Sequence, residues 1–400
     1  MRLLILHRFK FILAVILSAL FSSVVYSQNL VVSTQVGVDT FYDDQFDLQT
    51  PDTETGSIAY RPLINLAYAG QQYESAIQFG AIYNQFFDSA FDNSTNFNVD
   101  WQARRIAATS EFSVDASYTQ RLVEDFLELD DASVSANQTV ETIGFGADYS
   151  YTFSPRNQAL FGYAQTVDRL GDSALRASTE NVRHDIIAQW LRVLSSRSNV
   201  GVSANYQLFR PEIDGPAGNQ TIDTDTIGLA LVGNTQLNER WSLSGNIGAN
   251  QAQLSFADGL PEDDAIVEDG DINLVSSISL AFSGLRNDFV INLNAGTVQQ
   301  LDGVVDNQQS LSVNWNRRIS ELWSSNVTSS YFVADRDDRT NIDVRATLNW
   351  QKSPRWLYRF TYQYQEEDVG LQGSMLATSG QSNRVLISVQ YSFDDITIRL

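Results

Sequence analysis

The chain has 400 residues, a formal net charge of −22, 18% charged residues, 11% aromatics and no cysteine. That balance excludes a nucleic-acid binder, which needs a basic surface to neutralise phosphates. It also excludes disulfides and thiolate metal sites, and two methionines and two histidines leave few soft or imidazole ligands.

Residues 1–27 read as a separate object. Arg2, Arg8 and Lys10 make a basic start, Phe11 to Leu20 is almost wholly apolar, and Val25, Tyr26 and Ser27 offer a cleavage site. This pattern predicts a secretory signal peptide removed after Ser27, with an uncleaved membrane helix as the alternative. No other apolar run reaches about 18 residues, so no helical membrane span is expected. An exported chain without helical spans is periplasmic, secreted or a β-barrel.

From residue 28 onward the chain alternates with period two, the mark of strands with one apolar and one polar face. Val32, Thr34, Val36, Val38 and Thr40 share a face; Ile58, Tyr60, Ile64, Leu66 and Tyr68 form the next set. Tyr73 to Tyr83, Phe97 to Ala103, Phe112 to Tyr118 and Ile143 to Phe153 follow. The segment from His184 to Leu194 is less clean, whereas Val200 to Leu208 alternates again. The last third is clearest, ending in Val385, Ile387, Val389, Tyr391 and Phe393 on one face, with Leu386 the exception opposite. These segments predict an all-β fold, a transmembrane antiparallel up-and-down barrel of about 18 strands over 28–400. Sixteen strands remain possible if one pair around 160–195 is miscounted.

Connections alternate between short and long. Short turns are expected near Gly70, Ala108, Pro155, Ser196, Glu239, Leu285, Glu321 and Pro354. Long polar loops are expected at 43–55, 88–94, 122–137, 170–180, 210–220, 257–270, 301–308, 335–339 and 366–381. Short periplasmic turns and longer outer loops are the pattern of outer-membrane barrels, and aromatics beside the short turns read as a girdle at the membrane boundary. A soluble sandwich or propeller with an aromatic core is the competing fold, but it gives no reason for loop lengths to alternate.

The polar faces are rich in Asn and Gln, among them Asn65, Gln78, Asn205, Asn292, Asn294 and Asn314. Such a wall can hydrogen-bond sugar hydroxyls, although any water-filled lumen must be polar. The pore-lining candidates are Asp100, Arg104, Asp115, Asn292, Asn294, Arg318, Asp343, Arg345 and Arg359. Their charges are expected to meet across the barrel closure, either tuning ion selectivity or forming structural salt bridges. Acidic runs at 124–131 and 258–271 offer oxygen ligands for Ca²⁺ but show no twelve-residue ligand pattern, so a solvated charge run is the simpler reading.

Enzyme signals are poor, and no catalytic, metal or cofactor site is expected. Gly171-Asp172-Ser173-Ala174-Leu175 superficially matches an esterase start, but the α/β context and late Asp-x-x-His that such a motif needs are missing. Beyond the leader His184 is the one histidine, so any Ser–His hydrolase would have to use it.

The stretch Arg121-Leu122-Val123-Glu124-Asp125-Phe126-Leu127-Glu128-Leu129-Asp130-Asp131-Ala132, then Tyr149 to Pro155, then the aromatic strand Val389-Gln390-Tyr391-Ser392-Phe393, resembles a family of β-barrel porins encoded with exopolysaccharide and exosortase (PEP-CTERM-type) systems. The terminal strand also resembles the one read by the barrel-insertion machinery. The chain departs from that pattern by continuing through Asp394 to Leu400, which suggests a bulge with Ile396, Ile398 and Leu400 as a last apolar face. The resemblance implies an outer-membrane conduit for a secreted polysaccharide, with the lipid bilayer, the insertion machinery and periplasmic polysaccharide-export proteins as partners. A general diffusion porin and a structural or adhesive barrel with a blocked lumen are the alternatives.

Overall fold

The structure, a computed structural model, describes residues 29–45, 54–88, 93–122, 139–170, 179–215, 218–256, 272–299, 305–335, 339–369 and 378–399. The expected leader, the acidic runs at 124–131 and 258–271 and the segment 171–175 lie outside these residues. Strands β1 (Asn29–Asp43), β2 (Thr55–Ala69), β3 (Tyr73–Phe86), β4 (Ser94–Ile106), β5 (Ser110–Leu122) and β6 (Thr139–Ser154) open the chain. Then come β7 (Asn157–Leu170), β8 (Thr179–Ser195), β9 (Ser198–Gly215), β10 (Gly218–Gln236), β11 (Trp241–Phe256) and β12 (Ile272–Ser283). The chain continues through β13 (Asn287–Gln299), β14 (Val305–Arg318), β15 (Trp323–Ala334), β16 (Arg339–Ser353), β17 (Trp356–Val369), β18 (Thr378–Ser392) and β19 (Ile396–Arg399).

Each strand pairs antiparallel with its sequence neighbour, and β1 pairs with both β2 and β18. The sheet therefore closes on itself, leaving no unpaired edge to desolvate. β19 lies on β1 from Asn29↔Arg399 to Val32↔Ile396, and so continues β18 after an irregularity at 393–395. The barrel has eighteen strand positions, the last filled by two pieces. The irregularity switches parity: Tyr391 faces outward from an odd position, Ile396 and Ile398 from even ones opposite Val32 and Leu30. The apolar exterior thus extends past the aromatic end by the bulge expected from the sequence. Leu400 lies outside the described residues.

Both strands of the doubtful 160–195 pair are present, so the count is eighteen rather than sixteen. β8 obscured its own periodicity. Val182, His184, Ile186, Ala188 and Trp190 point outward, while Ile187, Leu191 and Val193 put apolar groups on the inner face. All eight expected short turns are found. The loop expected at 210–220 is not. β9 and β10 run through it and leave two residues, 216–217, between them. Pro211 lies within it, but Glu212↔Thr221 and Phe209↔Thr224 keep one register on either side of it. A proline removes a ladder donor without forcing a strand to end. Pro62 acts in the same way between Tyr60↔Tyr83 and Leu63↔Gly80.

The outer face carries the aromatics. All seven tryptophans, and every tyrosine in the described strands, occupy outward positions by the pairing registers. At the short-turn end they touch in series: Trp323 and Trp350 at 5.6 Å, Trp350 and Tyr358 at 5.0 Å, Trp356 and Tyr391 at 4.9 Å, Tyr391 and Phe393 at 4.9 Å. Toward the long-loop end tyrosines replace them. There Tyr206 donates to Asp225, Tyr362 to Asn383 and Tyr364 to Glu366. Amphipathic rings at two levels around an apolar exterior mark the two boundaries of a membrane.

Four of the eight short turns share one device. Ser154, Ser195, Asn238 and Ser353 each accept, through a side-chain oxygen, the amide of the residue two further on: Arg156, Arg197, Arg240 and Arg355. These side chains stand in for the missing ladder partner. The arginine carbonyl in turn accepts from the neighbouring hairpin, as in Val193 N–H to Arg156 at 2.8 Å and Ser283 N–H to Arg240 at 2.8 Å. Arg355 also pairs with Asp394, whose hydrogen bond raises the guanidinium pKa further.

Candidate functional site

The inner wall is the candidate site. Pairing parity places all nine sequence candidates on the inner face, opposite the aromatic one. They do not form one constellation. Asp100, Arg104 and Asp115 sit on β4 and β5. Between these strands and β17 stand β18, β1, β2 and β3, so the gap along the wall is about 24 Å at about 4.8 Å per strand. Among the described residues no ion pair joins the two groups across the closure, and several of these charges find contacts on their own side. Arg104 pairs with Glu111 at 2.7 Å within its own hairpin. Asp100 accepts from Asn98 at 3.1 Å. Asp115 lies across Gly146, where a Cβ would collide with its carboxylate.

The late strands are connected differently. Asp343 accepts from Gln363 at 2.6 Å and from Gln365 at 3.2 Å. Arg359 donates to Asn349 at 3.1 Å. Asn292 donates to Ser312 at 3.2 Å, and Asn294 accepts from Ser277 at 2.7 Å while donating to Ser310. Amides and hydroxyls satisfy one another across successive strands and keep the wall polar without fixing a net charge.

Three candidates converge. Asn292, Asp343 and Arg345 line one groove of about 590 Å³ on the inner wall of β13–β17, with Phe332, Asn341 and Arg339. Arg318 and Arg359 lie outside it. Sequence reasoning missed Phe332. It points inward from β15, one of few aromatics on the described inner face, and its signal is parity: it breaks the run of small polar residues Ser324, Asn326, Thr328 and Ser330 on that side. An aromatic ring bordered by amides, hydroxyls, two arginines and one aspartate offers both a flat apolar contact and directional hydrogen bonds.

Two buried ion pairs were also missed. Arg339 and Glu367 meet at 2.7 Å with side chains 7% and 4% exposed. Arg384 and Asp43 meet at 2.8 Å across the closing seam, at 12% and 1%. Ser382 also donates to Asp43, and Arg384 lies 5.1 Å over the Phe41 ring, which meets Phe86 edge-on. The signal was present but split: Asp43 closes the inner face of the first strand, and Arg384 enters that of the last, 341 residues away. These pairs stand at the long-loop end, where Ser57, Asn84, Gln363 and Gln365 of the inner wall are buried as well. His184 is not lumenal. It faces outward, with the Tyr163 hydroxyl 3.0 Å from Nδ1.

No family model matches the chain, and no curated protein matches it in sequence. Among solved structures it is similar to OpdK of Pseudomonas aeruginosa, solved with vanillate, at 11% identity and TM-score 0.46, over 91% of this chain and 99% of that one. It is also similar to the ferric-catecholate import receptor Fiu of E. coli, at 8% identity and TM-score 0.48, over 89% and 81%. The siderophore receptor PirA of P. aeruginosa aligns at 10% identity and TM-score 0.45, over 90% and 80%. At such identities and scores the likeness bears on neither cargo nor mechanism.

Proposed function

We propose that the protein is an outer-membrane channel whose lumen guides a secreted polysaccharide out of the cell. The observation that carries this reading is the inner groove, where Phe332 stands among Asn292, Asn341, Asp343 and Arg345. A sugar ring presents C–H groups on its faces and hydroxyls at its edge, and this wall supplies a partner for each. Amides and hydroxyls on adjacent strands let a moving glycan exchange hydrogen bonds at little net cost, since groups such as Asn292 and Asp343 keep a neighbour when the glycan leaves. The mechanism is passive guidance. The family resemblance adds periplasmic polysaccharide-export proteins as partners.

The test is single-channel conductance of the purified protein in a planar bilayer, with and without the cell's own exopolysaccharide. A steady pore that the polymer blocks reversibly is expected, and Phe332→Ala should weaken the block about fivefold or more, as loss of a stacking contact predicts. A steady pore indifferent to polymer would make the protein a diffusion porin. Burial of Asp43, Ser57, Gln363 and Glu367 on the inner wall supports a second reading, a lumen closed at the long-loop end at rest. That reading expects no conductance from the wild type, and conductance from Arg339→Ala.

A further inference from the structure

The chain is strongly acidic, yet its short-turn rim is lined with arginine. Arg156, Arg197, Arg240 and Arg286 each occupy the last turn position before a strand, recurring once per hairpin. Neighbouring turns stand two strands apart, about 10 Å at the usual spacing. A second set lies on the barrel's outer face. Arg192 follows Trp190 by two residues on β8, Arg317 follows Trp315 by two on β14, and Arg105 lies opposite Tyr73, its guanidinium 5.4 Å over that ring. Arg192 and Arg317 are exposed, and among the described residues no carboxylate pairs with either. At the other end the outward charges are mixed and paired, Arg169 with Glu180 and Arg210 with Asp223. Arginine left unpaired on a lipid-facing surface therefore belongs to the short-turn rim.

From this placement we propose that Arg105, Arg192 and Arg317 form a binding belt for the phosphates of anionic glycerophospholipids in the periplasmic leaflet. Tryptophan and tyrosine rings set the headgroup level, and guanidiniums two residues nearer the turn on the same face (Arg192, Arg317) or level with the ring (Arg105) reach the phosphate layer. Guanidinium matches two phosphate oxygens at once, which lysine cannot do. A soluble anionic polymer fits less well, since these three side chains point into lipid and away from the lumen. The turn arginines, which project beyond the strands, are where such a polymer would bind. The inference stands on the barrel's orientation alone, independent of what passes through the lumen.

The test reconstitutes the full chain in phosphatidylcholine nanodiscs with and without phosphatidylglycerol and counts retained lipids by native mass spectrometry. The variants are Arg105→Gln/Arg192→Gln/Arg317→Gln and, separately, Arg156→Gln/Arg197→Gln/Arg240→Gln/Arg286→Gln. The wild type should retain phosphatidylglycerol over phosphatidylcholine, and the first variant should lose about tenfold or more of that preference, at about fivefold per arginine near an anionic surface. The second variant should keep most of it. No preference in the wild type overturns the proposal. So does loss in the second variant with retention in the first, an outcome that assigns the rim to a soluble polyanion. If the triple variant fails to form a barrel, judged by unheated gel mobility, a salt titration of the wild type decides: the preference must fall as salt rises, and a salt-indifferent preference overturns the belt.

Discussion

The two ends of this barrel solve the same problem by opposite means. Every strand pair must be joined and every rim must meet water. At the short-turn end, joining is local: two to four residues, a Ser or Asn side chain that accepts the turn amide, and stacked outward rings. At the long-loop end, the order is non-local. Inward ion pairs such as Asp43–Arg384 and Arg339–Glu367 tie strands together beneath the rim. The difference teaches that the short-turn end is set by neighbours in sequence, whereas the long-loop end also uses pairs between strands, 28 residues apart for Arg339–Glu367 and 341 for Asp43–Arg384.

Four substitutions, with one double variant, would sharpen or break that contrast. The largest effect is expected from Arg384→Ala, which leaves Asp43 buried with Ser382 as its one side-chain donor among the described residues. Removing one partner of a buried pair costs about 3–5 kcal/mol, read as a lowered guanidinium midpoint for unfolding from lipid vesicles. Adding Asp43→Asn should return part of that loss, because the pair is coupled. If Arg384→Ala unfolds like the wild type, the seam is held by its ladder alone.

An intermediate effect is expected from Trp350→Ala. Its ring stacks on both Trp323 and Tyr358, so two aromatic contacts at about 0.5–1.5 kcal/mol each are lost. Tyr60→Ala breaks one stack, with Tyr83, and should cost about half as much in the same unfolding experiment. Equal costs would mean that the two girdles are energetically alike. The smallest effect is expected from Asn238→Ala. Its side chain accepts from Arg240 at 2.9 Å and Trp241 at 3.0 Å, and the exposed turn can recruit water instead, so about 1 kcal/mol is at stake. A loss above about 3 kcal/mol would show that turn closure, rather than the seam, dominates stability.

Much of this architecture was legible because it is local. Parity alone sorted Trp315 from Asn314 and Tyr362 from Gln363, and all nine pore candidates fall on the inner face as that sorting requires. The eight short turns were legible because turn residues interrupt the alternation. The polar run 210–220 looked like a loop, yet the ladder on both sides of Pro211 keeps one register. β8 was doubtful because inward Ile187 and Leu191 erase the polar half of the pattern on which strand recognition depends.

The sequence by itself determined which residues face lipid and which face the lumen, since a strand's side chains alternate whatever it pairs with. It also determined the strand count to within one hairpin, and the bulge that carries the apolar face on to Ile396 and Ile398. Only the tertiary structure decided which charges meet. Asp43 finds Arg384 because the sheet closes in a fixed register, while Arg104 settles on Glu111 within its own hairpin. Sequence spacing fixes the face of a side chain; its neighbour around the wall follows from the closure of eighteen strands into a ring.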